Sequence, residues 1–95
     1  MGTKLPPKEM SLYKRIDEIL WKDWDPIGVN DSEQARDEYR GYLPHIFRLA
    51  VDGADPDQIA RELMTAIDGM GLSINEDQNL TIATRIIEAK QGILD

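Results

Sequence analysis

The stretch Asp55-Pro56-Asp57-Gln58-Ile59-Ala60-Arg61-Glu62-Leu63, running on to Met70-Gly71-Leu72, decides the fold. Asp55 supplies an oxygen for the first free backbone donors of a helix. Pro56 suits the first helical position, and Gln58 can reach back to close a capping box. Ile59, Ala60, Leu63, Ala66, Ile67 and Met70 then fall on one face, with Arg61, Glu62, Thr65 and Asp68 opposite. Gly71 provides the left-handed residue that closes such a helix, and Leu72 can fold back onto it. A capped, amphipathic helix near 56–70 is therefore expected, and it needs partners of the same kind.

Those partners lie on both sides. Downstream, Asn75 repeats the cap logic with Gln78 three positions on. Leu80, Ile82, Ala83, Ile86, Ile87 and Ala89, with Ile93 and Leu94 beyond, predict a helix near 76–91. Its apolar arc is wider than one packed stripe needs. Either this helix is wedged within a monomer, with Trp21 closing over its second side, or that side joins two copies in a homodimer. Upstream, Ala35, Tyr39, Tyr42, Leu43, Ile46, Leu49 and Ala50 hold one helical phase through Pro44, so the spacing predicts a helix over 34–52 kinked at that proline. Gly53 closes it. Leu12, Ile16, Ile19, Leu20 and Trp24 mark a first helix near 8–24, stopped by Asp25-Pro26. Trp21 lies off that stripe, at about 140° from its centre for ideal α geometry. No segment reads as a strand. The expected architecture is all-α, a bundle of about four helices in one domain over 1–95, with 1–7 loose.

Composition narrows the function classes. Hydrophobic residues make up 41% of the 95 residues and charged residues 31%, which suits one packed core rather than a disordered chain. There is no cysteine, so disulfides, zinc–thiolate sites and thiol catalysis are excluded together. Neither an export signal nor a membrane span is legible, and a cytoplasmic location is expected. The net charge of −7 is concentrated between residues 25 and 77, which hold four basic and twelve acidic side chains. Such a field disfavours nucleic acid and anionic membranes as partners and favours a basic protein, although acidity also serves simply to keep a protein in solution.

Catalytic constellations are hard to find. His45 is the single histidine, and it sits to the side of its helical stripe. Ser11, Ser32 and Ser73 have no nucleophile-elbow context, and no phosphate-cradling glycine loop occurs. Asp23 to Gln34 resembles a calcium loop, with acids at positions 1, 3 and 9 and Gly28 at position 6. Ile27 at position 5 and Gln34 at position 12 lack the required ligand oxygens, and Pro26 stiffens the turn. Capping and turn-making are the expected work of these acids. No metal, no cofactor and no catalytic residue is expected.

Trp24-Asp25-Pro26-Ile27-Gly28, Asp37-Glu38-Tyr39 with Tyr42-Leu43-Pro44, and Met70-Gly71-Leu72 together resemble a family of short bacterial proteins of unassigned function. The resemblance covers Leu20 to Leu72, just over half the chain. It implies an all-helical fold and a bacterial source, and it implies no catalytic residues. Read physically, these blocks are chiefly scaffold, with Asp25 and Asp37 as partners for the hydroxyls of Tyr39 and Tyr42 or for helix ends. The competing reading is a binding site of Trp21, Asp25, Asp37, Glu38 and Tyr42 in a groove between the first two helices. The sequence therefore points to a non-enzymatic protein-interaction module. The alternatives are an immunity- or antitoxin-like inhibitor of a basic toxin and a small carboxylate-based enzyme.

Overall fold

The computed structural model describes residues 5–28, 32–35 and 38–95. Helix α1 runs Pro7–Glu18, with Pro6 as its extended N-cap and Leu12 and Ile16 buried. Leu5, just before it, packs against the core. Residues 1–4 lie outside the described residues.

The helix does not stop at Glu18. It widens into a π-helical segment, Ile19–Trp24, and the Asp25 N–H donates to the Leu20 carbonyl at 3.1 Å, five residues back. A π turn advances each residue by a smaller angle than an α turn, and its hydrogen bond closes across five residues instead of four. Ile19, Leu20, Trp21 and Trp24 all reach the interior from this segment. All four are buried, Trp21 at 6% exposure. The off-stripe position expected for Trp21 assumed about 100° per residue, and the π segment replaces that geometry. Asp25 then breaks the helix with φ 31° and ψ 60°, a left-handed conformation that a short polar side chain tolerates better than most.

The expected kinked helix over 34–52 is corrected. Glu33–Ala35 forms a 3-10 turn, residues 38–42 form turns, and helix α2 begins afresh at Leu43 and ends at Val51. Pro44 therefore occupies the first turn, where its missing N–H costs nothing, and the helix does not extend upstream of Leu43. The Arg40 carbonyl, which a continuous helix would have driven into the proline ring, accepts from the Leu43 N–H at 3.3 Å instead. Turn bonds Glu38 N–H to Ala35 O and Tyr42 N–H to Tyr39 O reproduce the spacing of three that imitated one helical stripe.

Helices α3 (Pro56–Gly69) and α4 (Glu76–Leu94) follow their caps closely. The Asp55 side chain accepts from Gln58 N–H at 2.9 Å while Asp55 N–H donates to Gln58 Oε1 at 3.1 Å, a complete capping box. Gly53 and Gly71 both have positive φ. Around them, Ala54 N–H reaches Leu49 O and Leu72 N–H reaches Ile67 O, the six-to-one closure of a Schellman motif. Asn75 accepts from Gln78 N–H at 2.9 Å to start α4, which extends three residues beyond the expected end.

Helix α4 packs against α3, α1, the π segment and α2. That explains its broad apolar arc: Ile82, Ala83 and Ile86 are buried, and Ile87, Ala89, Ile93 and Leu94 are half-buried against the same core. On the second apolar side these contacts bury Ala83 and half-bury Ile87 and Leu94, while Leu80 stays 41% exposed. No strand occurs among the described residues, and no helix among them is long and apolar enough to cross a membrane.

Candidate functional site

The joint after the π segment gathers most of the residues singled out in the sequence. The Tyr39 hydroxyl donates to Asp25 Oδ1 at 2.6 Å and accepts from the Ile27 N–H at 3.0 Å, tying the Asp25-Pro26-Ile27 turn to the segment before α2. The Tyr39 ring is buried, edge-on to Trp24 at 5.4 Å and tilted on Trp21 at 6.1 Å. Tyr42 is half-buried and meets Trp24 edge-on at 6.0 Å. Burial, and then the bond to the Asp25 carboxylate, push the Tyr39 hydroxyl up from 10.0 to about 12, because a phenolate here would be desolvated and would face an anion.

Behind this layer runs a second chain of bonds that the sequence reading missed. Trp24 Nε1–H donates to Asn79 Oδ1 at 2.9 Å, and Asn79 Nδ2 donates to the Asn75 carbonyl at 2.7 Å. Asn79 is 1% exposed, the one buried polar side chain among the described residues. The signal was present: Asn79 stands one turn before Ile82 and Ala83, on the inward phase of α4, four residues after the Asn75 cap.

The five proposed interaction residues thus have different fates. Trp21 and Asp25 both meet Tyr39, and Tyr42 meets Trp24; Trp21 is buried, while Asp25, bonded to Tyr39, also lines a cavity of about 140 Å³ with Trp24, Pro26, Gln78 and Asn79. Glu38 is exposed beside them, and Asp37 lies outside the described residues. The other acids near the joint have cationic neighbours: Asp23 meets Arg85 at 3.2 Å and Asp17 meets Arg40 at 3.7 Å. Asp23, the first position of the apparent calcium loop, is thereby turned toward α4. His45 is exposed, with Nε2 3.2 Å from Glu62 on α3. Among the described residues, no group of three or more His, Asp or Glu side chains is placed to hold a metal ion.

A different surface carries exposed apolar groups. Between α3 and α4 lies an open groove of about 350 Å³, lined by Asp57, Ala60, Arg61, Met64, Glu76, Asp77 and Leu80. Leu80 is 41% exposed, and Ile74, 44% exposed, adjoins the same Glu76 and Asp77. Its lining sets Ala60, Met64 and Leu80 beside three acids and Arg61.

Comparison with known proteins gives no match: no family model, no curated protein and no solved structure is similar to this chain. Fold and surface together define a small all-α bundle with an internally braced joint and a groove lined by acids and apolar side chains.

Proposed function

We propose that the chain is a non-enzymatic protein-interaction module whose acidic surface receives a basic partner. The supporting observation is the division of labour among its carboxylates. Asp17, Asp23, Asp25 and Asp55 serve internal pairs, a turn and a cap, whereas Asp57, Glu76 and Asp77 line a groove with the exposed Leu80. An enzyme built on carboxylates would gather them, facing one another, in a cleft that shifts their proton affinities. A binder would set an apolar centre within a charged rim, and the α3–α4 surface combines the exposed Leu80 with acids. Residues 25–77 carry the acid excess, so long-range steering would favour a cationic partner.

An inhibitor that masks a basic toxin is a specific form of this reading, and its acidic surface is what favours it. Affinity purification of the tagged chain from its source, followed by identification and binding of the captured protein, tests the proposal. The expected partner is basic, and its affinity falls steeply as salt rises. An acidic partner bound with no salt dependence, or turnover of a small molecule by the purified chain, would defeat it.

A further inference from the structure

The geometry points to the α3–α4 groove as the docking site of a basic amphipathic helix, with an apolar anchor seated on Met64 and Leu80 and Lys or Arg side chains reaching Asp57, Glu76 and Asp77. This rests on the module reading and names the partner's form.

The form follows from what the groove offers. An extended peptide that adds to a sheet needs a free strand edge, and no strand occurs among the described residues. A proline-rich segment needs an aromatic-lined slot, and no aromatic side chain lines this groove. A phosphorylated or acidic motif needs clustered cations, whereas the rim has three acids against Arg61. What remains is a trough between two helices, into which the ridge of a third helix fits.

Leu80 supplies the anchor point. Asn79, Ile82, Ala83 and Ile86 take the buried side of α4, and Leu80 lies off that line with two-fifths of its surface in water. Met64 is half-buried opposite, and its flexible thioether adapts to differing apolar partners. Ile74 extends the apolar strip past Glu76 and Asp77. Charge complementarity then selects the occupant: an apolar stripe flanked by cations satisfies both strip and rim, and an acidic helix would be repelled.

The test is a nitrogen-15 NMR titration with two synthetic helical peptides of the same leucine pattern, one with lysines and one with glutamates on the polar face. The lysine peptide is expected to shift amides in 57–64 and 74–81 and to weaken as salt rises; the glutamate peptide is expected to leave them unmoved. Leu80→Ser should remain folded, because the side chain is partly in water, and should weaken the lysine peptide about tenfold. The pair Glu76→Gln, Asp77→Asn should reduce the salt dependence. Shifts centred elsewhere, or equal binding of Leu80→Ser, would overturn this groove while leaving an acidic module standing. No response to the lysine peptide at millimolar concentration would count against groove and module together.

Discussion

Replacing Tyr39 by phenylalanine removes one oxygen and leaves the ring contacts with Trp21 and Trp24 in place. Two bonds are lost: the 2.6 Å bond to the Asp25 carboxylate and the 3.0 Å bond from the Ile27 N–H. A hydrogen bond to a charged group contributes about 1.5–3 kcal/mol and a neutral one about 1. Asp25 is half-buried and Ile27 exposed, so water recovers part of the loss. Tyr39→Phe is therefore expected to cost about 1–2 kcal/mol at neutral pH, a fall in Tm of roughly 4–16 °C for a domain of this size.

The pH dependence makes the prediction specific. The fold raises the Tyr39 hydroxyl from 10.0 to about 12, so it favours the neutral phenol and disfavours the phenolate. The associated stability is fully present below pH 10 and is lost as pH rises toward 12. Two pH units correspond to about 2.7 kcal/mol as a ceiling, reduced where water reaches the hydroxyl. The advantage of the parent over Tyr39→Phe should shrink through that window and vanish near its upper end. Urea titrations followed by tryptophan fluorescence at about pH 8 and about pH 11 measure it, since Trp21 and Trp24 are in the same cluster. The substituted ring carries no ionisable group, so the difference between the two proteins cancels the lysines and the remaining tyrosines to first order. An advantage unchanged between those pH values would mean that the hydroxyl does not face Asp25, and the account of the joint would be wrong.

Three further outcomes follow. Asn79→Leu leaves the buried Trp24 Nε1–H without its acceptor and should cost about 2–3 kcal/mol in urea titrations, with the loss smaller in a Trp24→Phe background. Asp55→Ala should cost about 1 kcal/mol and Asp57→Ala much less, because the Asp55 side chain caps Gln58; equal costs would place the cap elsewhere. Ile86→Glu puts a carboxylate at a fully buried position in α4 and should unfold the chain. A folded Ile86→Glu protein whose mass by light scattering is half that of the parent would show instead that this side joins two copies.

The elements that the sequence made legible are those whose ends are written in local chemistry. Asp55 with Gln58, Asn75 with Gln78, Gly53 and Gly71 each act within a few residues, so their bonds appear where the spacing put them. The pairing of Asp25 with Tyr39 was also within reach, since a buried tyrosine hydroxyl needs a partner and few acids lie near enough in sequence. Asn79 was harder to read. Its place on the inward phase of α4 was visible, but its partner Trp24 stands fifty-five residues away, and no local feature names that partner.

The two misread segments share one cause, the assumption of a uniform 3.6-residue period. In the first helix the true closure is five residues, which turns Trp21 inward and ends at a left-handed Asp25. Before Pro44 it is three residues, in separate turns that carry Tyr39 and Tyr42 inward without a continuous helix. These departures face each other across the joint. The π turn aims Trp21 and Trp24 at Tyr39, and the broken helix leaves Tyr39 able to reach back to Asp25 and Ile27. A regular α1 would leave Trp21 pointing outward, and a helix through Pro44 would meet the proline clash at Arg40. The irregular backbone is stabilised by long-range contacts among aromatic rings and one carboxylate. Such contacts leave no period in the sequence, so the joint is the part of the fold that local rules could not supply.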